Sequence, residues 1–209
     1  MHEIRLAFLA AAGAAHSVVK LEEVGERWDE PSALTDMTVG ALTAHLARAV
    51  TSVPECLDAH VPETEEPRSA AAYFLPVDAD LTSSINTRIR HASSGLAREG
   101  HPVVLAAMDH AQELLRVRLS EEPEDRLVHV KARNEVLMLD DYLKTRIIEL
   151  ATHTDDLCVS LGRPTPTLPG VDVAIATLID IAALRHGELA VLRALARRER
   201  DPDQVLRVI

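Results

Sequence analysis

The stretch Leu143-Lys-Thr-Arg-Ile-Ile-Glu-Leu-Ala-Thr-His-Thr-Asp-Asp-Leu157 carries two periodicities at once. Leu143, Ile147, Leu150 and Leu157, continued by Leu161, follow helical spacing and make an apolar stripe. Beside it run Tyr142, Arg146, Glu149, His153, Asp156 and Ser160, also three and four residues apart. That second stripe is polar. Glu149 and His153 lie one above the other on the same face. A carboxylate and an imidazole so placed can bind one divalent metal, but the spacing alone is a weak signal, and the ordinary reading of such a stripe is a solvated face with an Arg146–Glu149 ion pair.

The rest of the chain reads as helical too. It has 209 residues, 47% of them hydrophobic but only 2% aromatic. Helices packed through aliphatic side chains suit that composition, because Ala, Leu and Arg are good helix formers. Helical patterns are predicted over residues 3–24, 39–59, 81–119, 142–161 and 171–198. Asp36 or Thr38 can cap the second and Asp80 the third; Pro54 can kink the second. Gly100-His-Pro102 interrupts the third. Asp140 or Asp141 stands at the start of the fourth, and Gly162 with Pro164 ends it. Residues 163–170 form a rigid, extended linker. Residues 128–136 suit a short strand with nothing to pair with. The expectation is an all-α protein: a four-helix core with an additional C-terminal helix.

Net charge is −11, which argues against nonspecific binding to nucleic acid or an anionic membrane surface. No apolar run reaches membrane-spanning length. Cys56 and Cys158 form no disulfide framework and no metal motif, so a reducing cytoplasm is the expected compartment. Cys158 is rotated well away from the Glu149–His153 face. The Ala-rich terminal helix could pack against a second copy as a homodimer.

His45 supplies a third ligand candidate. It falls within the apolar stripe Leu42, Leu46, Ala49, Val50 and Val53 of the second helix. The alternative is a core histidine bonded to a backbone carbonyl. Bundles, however, build metal sites from inward-facing side chains on neighbouring helices. Two histidines and a carboxylate suit Zn²⁺ first and Ni²⁺ or other transition metals next, with one coordination position open. Asp156 can orient a ligand imidazole or serve as a base. Arg146 can bind a substrate carboxylate bidentately, and Asn86 and Arg90, one turn apart on the third helix, can face the same cavity.

The segments Met37-Thr-Val-Gly-Ala-Leu-Thr-Ala-His-Leu46 and Arg146-Ile-Ile-Glu-Leu-Ala-Thr-His-Thr-Asp-Asp-Leu157, together with Trp28-Asp-Glu-Pro-Ser32, resemble the DinB-like superfamily. Within it the chain is most similar to the N-terminal domain family of mycothiol-dependent maleylpyruvate isomerase. The resemblance implies a DinB-like metal-binding four-helix bundle over residues 1–165, with residues 166–209 as linker and C-terminal helix packed on it. It implies His45, Glu149 and His153 as the metal ligands. It further implies a low-molecular-weight thiol, mycothiol or a relative, as cosubstrate in transfer or isomerisation of a small electrophile. The isomerase has a second domain that contributes to its active site and has no counterpart in this sequence, which counts against maleylpyruvate as the expected substrate. A metal-dependent hydrolase on the same three residues and a non-catalytic metal-binding protein are the alternatives.

Overall fold

The computed structural model describes residues 3–62, 66–75, 95–199 and 202–209. Its described elements are α1 (Glu3–Val19), α2 (Glu22–Glu26), α3 (Val39–Asp58), α4 (Ala70–Phe74), α5 (His101–Glu121), β1 (Leu127–Val130), β2 (Glu135–Met138), α6 (Leu139–Leu161), α7 (Val171–His186), α8 (Glu188–Ala196) and α9 (Asp203–Leu206). The long helices α1, α3, α5 and α6 form the four-helix core of an all-α, DinB-like fold. α6 packs against α1 and α3 and is covered by α7. Leu143, Ile147, Leu150, Leu157 and Leu161 of α6 are all buried, as their spacing requires. They meet the small face of α1, where Ala11, Ala12 and Ala15 leave room for close approach, and Leu42, Leu46, Val50 and Val53 of α3. Ala174, Ile181 and Ala182 of α7 join the same core.

The helix ends follow local chemistry. Thr38 caps α3, its hydroxyl accepting from the Ala41 N–H at 3.1 Å. Asp140 and Asp141 lie in the first turn of α6, where negative charge favours the helix dipole. Gly162 ends α6 in the left-handed region at φ 67°, and the Arg163 N–H returns to the Cys158 carbonyl at 2.9 Å. No helix among the described residues is long and apolar enough to cross a membrane.

Three expectations need correction. The first helix stops at Val19 rather than running to residue 24. Leu21 is extended, and the His101 ring takes the Val19 carbonyl at 2.7 Å, so the chain restarts as α2 with Val24 buried. The last helix breaks at Gly187, whose φ of 85° is costly for any residue with a Cβ. Residues 128–136 are not one lone strand: they fold back as an antiparallel hairpin, with Leu127 opposite Met138 and Val130 opposite Glu135. Each half of the segment is the other's pairing partner. Asn134, at φ 52°, turns the chain. The expected start of the third helix, with Asp80, lies outside the described residues.

Candidate functional site

α3 brings His45, and α6 brings Glu149 and His153, to one side of their shared seam. His45 Nε2 lies 3.3 Å from Glu149 Oε2, and His153 Nε2 lies 3.2 Å from the same oxygen. The two imidazoles meet edge to face, centroids 4.6 Å apart. One ligand atom from each of the three residues falls within 4.8 Å of the others. The side chains keep 18%, 22% and 17% of their surface exposed, so the cluster is sheltered but open on one side. The sequence pairing of Glu149 with His153, and the addition of His45, are thus realised as one cluster.

The surroundings orient this cluster. His153 Nδ1–H donates to Asp156 Oδ2 at 2.9 Å, which turns Nε2 toward Glu149. Burial disfavours a charged His153, but hydrogen bonds to Asp156 and Glu149 and their negative charge outweigh it and lift its pKa to about 9. Burial likewise opposes ionisation of Glu149. Hydrogen bonds from His153 and His45 and the Arg146 cation nevertheless hold its carboxyl well below the usual range. Glu149 Oε1 faces the other way, 4.0 Å from Arg146 Nη2, so the ion pair and the cluster coexist on opposite oxygens. Asp155 is exposed and bonded by Thr165. Asn86 and Arg90 lie outside the described residues.

One stretch of this seam was not singled out from sequence. The Tyr142 hydroxyl is buried, 3.0 Å from Ser52 Oγ, with the Cys56 thiol near it. Ser52 and Cys56 continue the His45 face of α3 at intervals of seven and four, and that spacing was the available signal. Burial pushes the Cys56 thiol up, away from the thiolate form a nucleophile needs. Cys158 is likewise buried and raised by burial, and neither cysteine is in a disulfide. Two shallow surface depressions, one between α2 and Arg163 and one along residues 29–38, include none of the cluster residues.

The donor set fits a divalent transition metal: two imidazole nitrogens and a carboxylate oxygen, with one imidazole held by a carboxylate behind it. A four-helix core with such a cluster between two of its helices defines a DinB-like bundle able to hold a metal ion. The chain belongs to the mycothiol maleylpyruvate isomerase N-terminal domain family, whose sequence model matches residues 9–158. No curated protein and no solved structure gives a significant match.

Proposed function

We propose that this protein is a metal-dependent enzyme that uses a low-molecular-weight thiol, of the mycothiol kind, in thiol transfer or thiol-assisted isomerisation of a small electrophile. The observation that carries this reading is the half-open His45–Glu149–His153 cluster in a family named for a mycothiol enzyme. His45, Glu149 and His153 are the proposed ligands, and Zn²⁺ is the first candidate, ahead of Ni²⁺. A metal bound there supplies a Lewis acid that keeps a thiol ionised near neutral pH. The protein's own part is positional. Asp156 fixes the His153 ring, Arg146 keeps Glu149 ionised, and the aliphatic walls of α3 and α6 limit access of water. In transfer, the thiol proton passes to solvent, a sulfur–carbon bond forms, and the leaving group departs with its bonding pair. In isomerisation, thiolate adds to a conjugated cis alkene, the carbon–carbon bond left single rotates, and elimination expels the thiolate and returns the alkene as its trans isomer. The hydrolase alternative takes Asp156 as general base, but its bond to His153 Nδ1 gives that carboxylate an orienting role instead.

The test is direct. Zn²⁺-loaded protein incubated with mycothiol and 1-chloro-2,4-dinitrobenzene forms the thioether and chloride at least about tenfold faster than the protein-free mixture. A rate equal to the protein-free one with this and other electrophiles sinks the thiol reading.

The charged state of His153 sets a pH dependence. Its folded pKa, about 9, lies above the unfolded value near 6.5. Its contribution to stability in the metal-free protein is therefore complete below about pH 6.5 and is lost as pH rises through 9. A metal at Nε2 must displace that proton. Apparent Zn²⁺ affinity is therefore expected to climb roughly tenfold per pH unit toward 9 and then to level. Competition titration against a chelator of known proton affinity reads this slope, and a flat profile contradicts it.

A further inference from the structure

We propose that Arg146 is a carboxylate-binding residue, and that the electrophilic substrate is a small carboxylic acid whose charged end docks on its guanidinium. The substrate assignment rests on the functional reading above; the docking itself does not.

The Arg146 side chain is only 13% exposed. Its Nε donates to Thr145 Oγ1 at 3.0 Å. The acid beside it, Glu149, is 4.0 Å away, beyond hydrogen-bond distance. Among the described residues neither Nη1 nor Nη2 donates a hydrogen bond. Of the five N–H donors on a guanidinium, the four on the terminal nitrogens are unused. Nearly buried arginines ordinarily end in a bidentate pair with a carboxylate or phosphate. Glu149 does not fill that role, because its Oε2 faces both histidines.

The fork is also held in place before anything binds. The guanidinium lies over the Tyr142 ring, 5.1 Å from its centroid, and Ser52 tethers the Tyr142 hydroxyl. Thr145 holds the Nε edge. A fixed fork loses little freedom on binding, which favours a small ligand. Arg146 stands three residues before Glu149, a rise of about 4.5 Å along the helix, roughly the length of a short acid.

A purely structural Arg146 that only keeps Glu149 ionised predicts altered metal affinity and no preference between an acid and its amide. The experiment therefore compares crotonate with crotonamide, which differ in charge and little in shape, by calorimetric titration of Zn²⁺-loaded and chelator-treated protein. The parent is expected to bind crotonate at least about tenfold more tightly, equivalent to about 1.4 kcal/mol. In R146M the ratio falls to near one while melting behaviour is kept. R146K retains part of it, because an ammonium supplies charge without the fork. A ratio unchanged in R146M places the carboxylate elsewhere and overturns the proposal, as does a parent that does not discriminate. Should R146M fail to fold, an undiminished ratio in R146K overturns it. A protein that takes up no metal defeats the enzymatic reading, and the ratio in chelator-treated protein still decides the role of Arg146.

Discussion

On the proposed metal reading, replacing His153 by alanine is expected to abolish stoichiometric Zn²⁺ uptake, and with it any rise in melting temperature on Zn²⁺ addition. His153 offers Nε2 3.2 Å from Glu149 Oε2, and only His45 and Glu149 remain once it is gone. Loss of a residue that merely orients a ligand costs roughly 10–100-fold in metal affinity. Loss of one of three protein ligands costs more, so a drop exceeding about a hundredfold, or about 2.7 kcal/mol, is expected. H45A behaves in the same way. D156N marks the contrast: it removes the carboxylate behind His153 Nδ1 but leaves all three donors, so metal stays at one per chain with affinity weakened roughly 10–100-fold. Elemental analysis of protein purified without chelator reads the stoichiometry, and competition titration reads the affinity. A full complement of metal in H153A refutes the ligand assignment whatever happens to activity.

What the sequence made legible follows from periodicity. The buried stripe of α6, its left-handed glycine at 162 and the threonine cap of α3 are each set by residues within a turn of one another. The metal-candidate cluster was legible for a related reason. Glu149 and His153 share a helix, and His45 is a polar residue among buried aliphatic ones. Features closed by distant backbone were not legible. The end of α1 depends on His101, eighty-two residues away, reaching the Val19 carbonyl. Nothing in Val18-Val19-Lys20-Leu21 itself announces a stop. The hairpin was missed because its turn, Lys131-Ala-Arg-Asn134, lacks the glycine that usually follows asparagine in tight turns. The break at Gly187 was hidden inside a long apolar pattern, where an isolated glycine reads as a tolerated interruption. The Tyr142–Ser52 contact joins two helices, so neither sequence stripe alone reveals it.

Arg5 is the clearest case of a residue whose role lies in long-range contacts, and its replacement is expected to be among the most destabilising single changes in the chain. Near the N-terminus of α1 it looks like an ordinary charge on an amphipathic helix, yet it is 3% exposed. Its Nε donates to Asp140 Oδ1 at 2.9 Å. Nη1 reaches the carbonyls of Leu119 at 3.1 Å and Glu122 at 2.5 Å, and Nη2 reaches that of Pro123 at 2.7 Å. The last turn of α5 and the residues just after it leave carbonyls without helical partners, and this one guanidinium takes one in the last turn, Leu119, and two beyond it, Glu122 and Pro123. It also ties them to the first turn of α6, the helix that carries Glu149 and His153. Methionine in its place preserves much of the volume but removes every donor, leaving three carbonyls and a carboxylate without this partner. Removing one side of a buried ionic network costs about 3–5 kcal/mol. For a chain of this size that is a fall in melting temperature of roughly 6–20 °C. R5K restores the charge but not the fork, so it recovers only part of the loss. Because Arg5 touches none of His45, Glu149 and His153, R5M that remains folded keeps one metal per chain at unchanged affinity. Calorimetric melting with parallel metal analysis checks both halves. A melting temperature within about 2 °C of the parent, the shift of no more than about 1 kcal/mol, shows that the carbonyls find other donors and that Arg5 does not hold α5 to α6.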